Sequence, residues 1–468
     1  MTGKFLRRFA PVTLAALLIA AAPQDRDRHG QGTPRLDGAA LVPADLYPSR
    51  YHPLPRADTL IINANILDGA GGRIERGMVL VRDGVIVALG PTTADRPASV
   101  VVIDAAGRWL TPGIIDVHSH DGTFVAPLTA NDSEYSDVTE VSSPIAAGTW
   151  VEHAVNVQDP SFRRALESGV TTLQILPGSI PLIGGRTVVL KNVPANFVQE
   201  MKFPGAVQGV KMSCGDNPRA FFGSKGQAPN SRMGSMKILR ELFARARMVR
   251  AEGHPPSADN MDAQTIDGIL SGALPVQVHC YRADDMANML GLAKEFGFRI
   301  TAFHHATEAY KISRLLNENG TCAVVWADWW GFKTEAADAI RANAAFVDAS
   351  GGCVALHSDS PFMGQHLNLE AAKAMAAGKR AGVPVTPEHA IRWLTSNPAA
   401  MLRLGDRIGT IAVGRNADLV LWSGDPFSVY TRATKVFIDG ALVFDRNDPR
   451  RRPSSDFEVG RIPAERPQ

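Results

Sequence analysis

Cysteine is scarce: the 468 residues hold four, Cys214, Cys280, Cys322 and Cys353, and no two stand in a C-x-x-C spacing. No zinc ribbon can be built from that set, and the expectation is buried thiols, with one bridged pair as the alternative. Charge of one sign is lacking too. The formal net charge is +2 with 21% charged residues and no basic stripe, which argues against nucleic acid and for a small-molecule substrate. Long apolar runs are missing apart from Phe9 to Ala22, which is short for a membrane span. Three motifs are absent as well. Without G-x-S-x-G or H-E-x-x-H there is no serine-hydrolase elbow or zincin helix, and without G-x-G-x-x-G after a first strand there is no dinucleotide fingerprint.

What is present begins with Lys4, Arg7 and Arg8 ahead of that apolar run, which closes on Ala20-Ala21-Ala22. Residues 1–22 read as a cleaved secretory signal, with Arg7-Arg8 a weak twin-arginine hint and an uncleaved anchor the alternative. A periplasmic or secreted protein follows, with no stable membrane span. Loss of those three charges takes the balance from +2 to −1.

Residues 23–56 are rich in Pro, Asp, Arg and Gly and read as a linker or wrapped arm. Residues 57–108 then give short strand-like runs broken by Gly and Asp-Gly turns, and 406–447 repeat that character, ahead of a tail at 448–468. Neither set buries enough alone, so one small β-sandwich built from both ends is expected. Between them, from about 109 to 405, strand-like runs alternate with helical patterns such as 235–250, 283–296 and 369–380. Repeated βα units over that length predict an α/β fold, a (β/α)8 TIM barrel, over a doubly wound open sheet.

A barrel of this kind gathers its site at the C-terminal strand ends. His118 and His120 close the first run and, at i and i+2 on a strand, point to the same side and reach one cation. His279 closes 276–279, His304-His305 closes 299–305, and Asp359 follows 354–358. Imidazoles and a carboxylate at successive strand ends suit Zn²⁺ or a similar divalent ion.

The stretch TPGIIDVHSH at 111–120 resembles the first barrel strand of the amidohydrolase superfamily, in its imidazolonepropionase-like and dipeptidase-like branch. The stretch GTIAVGRNADLVLW is similar to the segment that leads back into that family's sandwich. The resemblance implies His-x-His on strand 1, lysine or glutamate on strand 4, His on strands 5 and 6, and Asp on strand 8. Metal ligands His118, His120, Lys211, His279, His305 and Asp359 match that order, with one or two ions and, in binuclear members, a carbamylated Lys211. Glu200 and Lys202 are rivals for strand 4, and a snorkelling Lys211 or a Lys211–Asp216 pair is the bland alternative. His304 becomes a supporting or substrate-contacting group, though the reverse assignment to His305 stays open.

Asp359 beside activated water is the expected general acid and base. Asp116, two residues before His118, is a candidate for orienting the first-strand ligands. Arg282 and Lys311, on loops at the barrel mouth, are candidates to hold a substrate carboxylate, and Trp326, Trp329, Trp330 and Phe332 to wall the site. The excursion 213–275 is a candidate lid or homo-oligomer contact. The resemblance implies a hydrolase of an amide C–N bond, with peptides or N-acyl amino acids as substrates. A cyclic-amide hydrolase or deaminase is the chemical alternative, and a non-catalytic ligand-binding barrel the alternative of another class.

Overall fold

A computed structural model describes residues 45–93, 97–124, 136–253, 256–257, 259–329 and 331–451. The signal segment 1–22, Trp330 and residues 452–468 of the expected tail lie outside the described residues. Of the expected arm, 45–56 are described. They lie along the rest of the chain, with Arg50 N–H donating to the Gln199 carbonyl and the buried Tyr51 hydroxyl to Asp439 at 2.7 Å.

The two ends of the chain do meet. Strands β1 (Thr59–Leu67), β2 (Arg73–Arg82), β3 (Val85–Pro91), β4 (Val101–Asp104) and β5 (Trp109–Pro112) come from the N-terminal side. After a long central stretch come β15 (Leu419–Trp422), β16 (Ala433–Ile438) and β17 (Ala441–Asp445). They join in one eight-stranded sheet in the order β17-β16-β15-β5-β1-β2-β3, with β4 paired to β1. Trp109–Pro112, expected at the head of the central domain, therefore belongs to this sheet, with Pro112 opposite Leu419. Alternating apolar residues give the sheet a core of its own, including Ile61, Val79, Val81, Leu110, Leu419 and Phe437.

Gly113 makes the exit from that sheet. Its N–H donates to the Asp418 carbonyl, and a Cβ there would lie 2.1 Å from Thr171 Oγ1, so only glycine lets β5 turn directly into the next strand.

The central strands are β6 (Ile114–Ser119), β7 (Val170–Ile175), β8 (Ile183–Arg186), β9 (Val188–Lys191), β10 (Val210–Ser213), β11 (Val276–Cys280), β12 (Ile300–His305), β13 (Cys322–Val325) and β14 (Val354–Leu356). Nearly all are buried on both faces, the mark of strands sandwiched between other layers. β10 to β14 run parallel in one sheet that β8 joins antiparallel, and β6 pairs parallel with β7, to which β9 is antiparallel. The fold is α/β. The antiparallel β8 and β9 depart from the uniform βα repeat expected, because residues 176–182 return the chain from β7 to β8 in a connection too short for the crossover helix a parallel strand needs.

Helices fall close to their expected places. Ala283–Phe296 has Asp284 and Asp285 in its first turn, Lys294 in its last, and the left-handed Gly297 as stop. The excursion after β10 carries Asp216–Ser224, Arg232–Ala251 and Met261–Leu270, the second capped by Ser231 and the third by Asn260. No helix among the described residues is long and apolar enough to cross a membrane.

The cysteines correct an expectation. All four are bonded, Cys214 to Cys280 and Cys322 to Cys353, with Cα atoms 5.3 and 4.6 Å apart. Each pair joins neighbouring parallel strands, a geometry set by strand register and invisible in the spacing of the residues.

Candidate metal centre

The alternation of β6 brings His118 and His120 to one side, with their Nε2 atoms 3.3 Å apart. Both face Asp359 Oδ1, at 3.1 and 3.3 Å. Their far nitrogens are fixed. His120 Nδ1 lies 2.9 Å from the Leu176 carbonyl, so the proton sits on Nδ1 and the Nε2 lone pair faces inward. His118 Nδ1 meets His304 Nδ1 at 3.0 Å, and His304 Nε2 meets Gln277 Oε1 at 2.7 Å. Because Gln277 Oε1 only accepts, His304 donates from Nε2 and accepts at Nδ1, so His118 donates from Nδ1 and also turns a lone pair inward.

Lys211 is fully buried on β10, its Nζ 3.3 Å from His118 Nε2 and donating to the Pro177 carbonyl at 3.2 Å. Burial pushes its ammonium pKa down to about 7, against the opposing charge of Asp359. The rivals are elsewhere. Lys202 pairs with Glu152 at 2.7 Å and Asp45 at 2.8 Å, and Glu200 accepts from Asn196 N–H. Asp216 takes Arg219 and Arg232 as its partners, which removes the Lys211–Asp216 pair.

His279 on β11 and His305 on β12 lie with ring centroids 4.4 Å apart, and all four of their ring nitrogens are buried without a hydrogen-bond partner. His305 stacks on Tyr281 at 5.1 Å and on Trp326 at 4.4 Å. Burial drives His118, His279, His304 and His305 well below the ordinary histidine range, so each is a neutral imidazole, the ligating form.

The sequence reading missed His357. One ligand atom from each of His118, His305, His357 and Asp359 falls within a group no more than 4.8 Å across, and burial pushes His357 down to about 3. The signal was available: His357 stands two residues before Asp359 at a strand end, the spacing that singled out His118 and His120. Buried, unpartnered imidazole nitrogens beside a carboxylate are costly as they stand and fit a divalent cation well.

Asp359 reaches this group through a left-handed backbone, φ 55°, and its N–H donates to the His118 carbonyl at 2.9 Å. His305 and Ala306 are also left-handed, at φ 70° and 35°, so strain collects at two of the strand ends that bear the site. Despite its burial the Asp359 carboxyl lies below the ordinary carboxylate range, with its Oδ1 against the Nε2 atoms of His118 and His120. Asp116 accepts from the backbone N–H of His118 at 3.2 Å and of Ser358 at 3.3 Å, tying the two segments that carry His118 and Asp359.

Three of the expected substrate contacts have partners within the chain. His304 has no exposed surface and both its nitrogens are occupied, one by His118 and one by Gln277. Arg282 forks onto Asp284 at 2.7 and 2.9 Å, and Lys311 binds Asp338 at 2.7 Å and Glu308 at 3.2 Å. Both charges are spent on local acids. Trp329 stacks on Trp326 at 4.9 Å, which in turn stacks on His305 at 4.4 Å. Lys333, which the sequence reading passed over, lies 3.8 Å over the Tyr281 ring.

Residues 109–444 match the family model described as the amidohydrolase family. Amidohydrolase tasK of Hapsidospora irregularis is 31% identical over 403 residues, 80% of this chain, which spans only 39% of that relative's length. An imidazolonepropionase of Mesorhizobium japonicum is 25% identical over 391 residues, covering 77% of this chain and 90% of the relative. Among solved structures, an amidohydrolase from Thermotoga maritima MSB8 has a TM-score of 0.75 at 33% identity, covering 83% of this chain and all 100% of that one. A putative prolidase from Bifidobacterium longum, at TM-score 0.52 and 15% identity over 83% of this chain and 95% of that one, is a likeness of fold alone.

Proposed function

The chain belongs to the amidohydrolase family and is an enzyme acting on carbon–nitrogen bonds, and from that premise we propose that it hydrolyses the amide bond of a peptide or N-acyl amino acid at a divalent metal centre. The observation that carries the reading is the meeting of His118, His120, Lys211 and Asp359 within 3.3 Å contacts, beside the unpartnered nitrogens of His279, His305 and His357.

His118, His120, His279, His305 and Asp359 would hold zinc, one ion or two, with Lys211, as a carbamate, and His357 as further donors. A zinc ion so held lowers the pKa of water toward ~7 and polarises a carbonyl. Asp359, ionised and lodged against His118 and His120, takes the proton of the attacking water at its carboxylate and returns it to the leaving nitrogen as the C–N bond breaks. Gln277 and His304 hold His118 in its donating tautomer, and Asp116 keeps His118 and Asp359 in register. Tyr281, Trp326 and Trp329 exclude water from one side and give an acyl or aromatic group a flat surface.

On this reading the parallel strands β6, β7 and β10 to β14 close into a barrel of the (β/α)8 kind over about residues 109–405, with β8 and β9 inserted, and the terminal sheet folds over as a small sandwich. The hydrogen bond from Asp359 N–H to the His118 carbonyl supports the closure, since it bridges β14 and β6. Export to a periplasmic or extracellular space is supported by the basic and apolar leader and by two disulfides, which persist in oxidising compartments.

The imidazolonepropionase relative favours a second reading, hydrolysis of a cyclic amide. The test is a panel of dipeptides, N-acyl amino acids and cyclic amides with zinc-loaded protein, following amine release. Turnover of the linear amides is expected. Turnover confined to cyclic amides would move the assignment to the second reading, and ammonia from an aminated ring would make the protein a deaminase.

A further inference from the structure

The two disulfides clasp the sheet that contains β10 to β14 at opposite ends. Cys214 and Cys280 follow directly on the last rung of β10 and β11, where Lys211 lies opposite Gln277 and Ser213 opposite His279. The Cys214 N–H donates to the His279 carbonyl at 2.9 Å. Beyond the bridge the strands part, one through Gly215 at φ 78° into Asp216–Ser224, the other through Tyr281 into Ala283–Phe296. Cys322 and Cys353 sit at the far end, Cys322 opening β13 and Cys353 preceding β14, beside the first rung between Ala323 and Val354.

Strand alternation puts Lys211, Ser213, Gln277 and His279 on one face, and Met212, Cys214, Val278 and Cys280 on the other, where they join the main apolar core. The Cys214–Cys280 sulfurs therefore act on the site through the backbone. His279 lies one residue from the bridge and has no other hold on its ring nitrogens. A ligating histidine is ordinarily oriented by a partner on its other nitrogen. His118 and His120 have theirs in His304 and the Leu176 carbonyl, whereas the nitrogens of His305 and His357 have none. His279 has no partner on either nitrogen. The covalent link one residue on takes that place.

We propose that the Cys214–Cys280 disulfide is a positioning element of the metal centre, fixing the ends of β10 and β11 and thereby Lys211 and His279. The inference rests on the metal reading given above.

Its test is the zinc affinity of the full chain, by competition with a chromogenic chelator, for the wild type, C214A/C280A and C322A/C353A. Both double variants lose thermal stability, as any removed disulfide would cause. Only C214A/C280A is expected to lose zinc affinity, by about 10–100-fold, the effect of removing a ligand's orienting partner. Equal affinity in all three proteins, or an equal loss in both variants, overturns the inference and leaves the metal reading standing. A wild type that binds no zinc overturns the metal reading, and the inference with it. Should C214A/C280A fail to fold, wild-type protein titrated with a phosphine reductant answers the same question. Zinc release must track the appearance of thiols at Cys214 and Cys280 by mass spectrometry, and release uncoupled from those thiols overturns the inference.

Discussion

Lys211 carries its side-chain nitrogen to 3.3 Å from Nε2 of His118, a residue 93 positions earlier, in a place where neither has any contact with solvent. Two basic groups buried face to face are unfavourable unless something anionic or metallic joins them. Burial already favours the neutral amine of Lys211, the form that adds carbon dioxide.

Lys211→Ala should therefore lower the number of zinc ions bound per chain. Wild-type protein prepared in carbon-13 bicarbonate should carry one labelled carbamate carbon that the variant lacks, read by NMR. Label absent from the zinc-loaded wild type would leave Lys211 as a plain amine and the site mononuclear.

Asp359→Asn keeps the shape and removes the proton acceptor. A fall in kcat of roughly 10²–10⁴-fold is expected, the usual value of general acid–base catalysis, with an unchanged circular dichroism spectrum. A kcat near that of the wild type would take the proton transfer away from Asp359.

Chelation should destabilise the fold, because the cluster closes around the ion. A ligand present at a hundred times its Kd stabilises by about 2.7 kcal/mol. Calorimetry of apo and zinc-loaded protein should show a higher Tm with zinc and a rise in Tm with added zinc; coincident melts would speak against a bound ion.

Far from the site, Asp418 is buried beside Lys191, 3.6 Å away, and Asp439, whose N–H it accepts at 2.7 Å. Burial pushes its carboxyl above the ordinary range, and Lys191 offsets this only in part. A carboxyl raised in the folded state gives stability that is complete below its unfolded pKa, about 4, and is lost as pH rises past it. Asp418→Asn should therefore gain Tm relative to the wild type on going from about pH 4 to about pH 7. A difference in Tm that does not change with pH would mean that Asp418 is ionised throughout.

Much of the site was legible because strand period and strand ends are local properties. His118, His120, Lys211, His279, His305 and Asp359 each stand at or beside the close of an apolar β-branched run, and all but His279 make contacts that join them to His118 or Asp359. His279 enters through its ring contact with His305. What was not legible depends on register. Cys214 lies opposite Cys280 only because Lys211 pairs with Gln277, and a shift of one residue would part them. The partners of Arg282 and Lys311 had a local signal, since Asp284 and Glu308 stand two and three residues away. β8 and β9 escaped notice because a short run interrupted by two glycines lacks the length of a strand signal.

The most direct test of the metal centre is zinc per chain by elemental analysis, on wild-type protein and on His118→Ala/His120→Ala, alongside amidase activity. One or two equivalents in the wild type, near zero in the double variant, and activity that is lost on chelation and returns with zinc are the expected results. A wild type that stays metal-free after supplementation, or one that hydrolyses amides equally well without metal, would contradict the account.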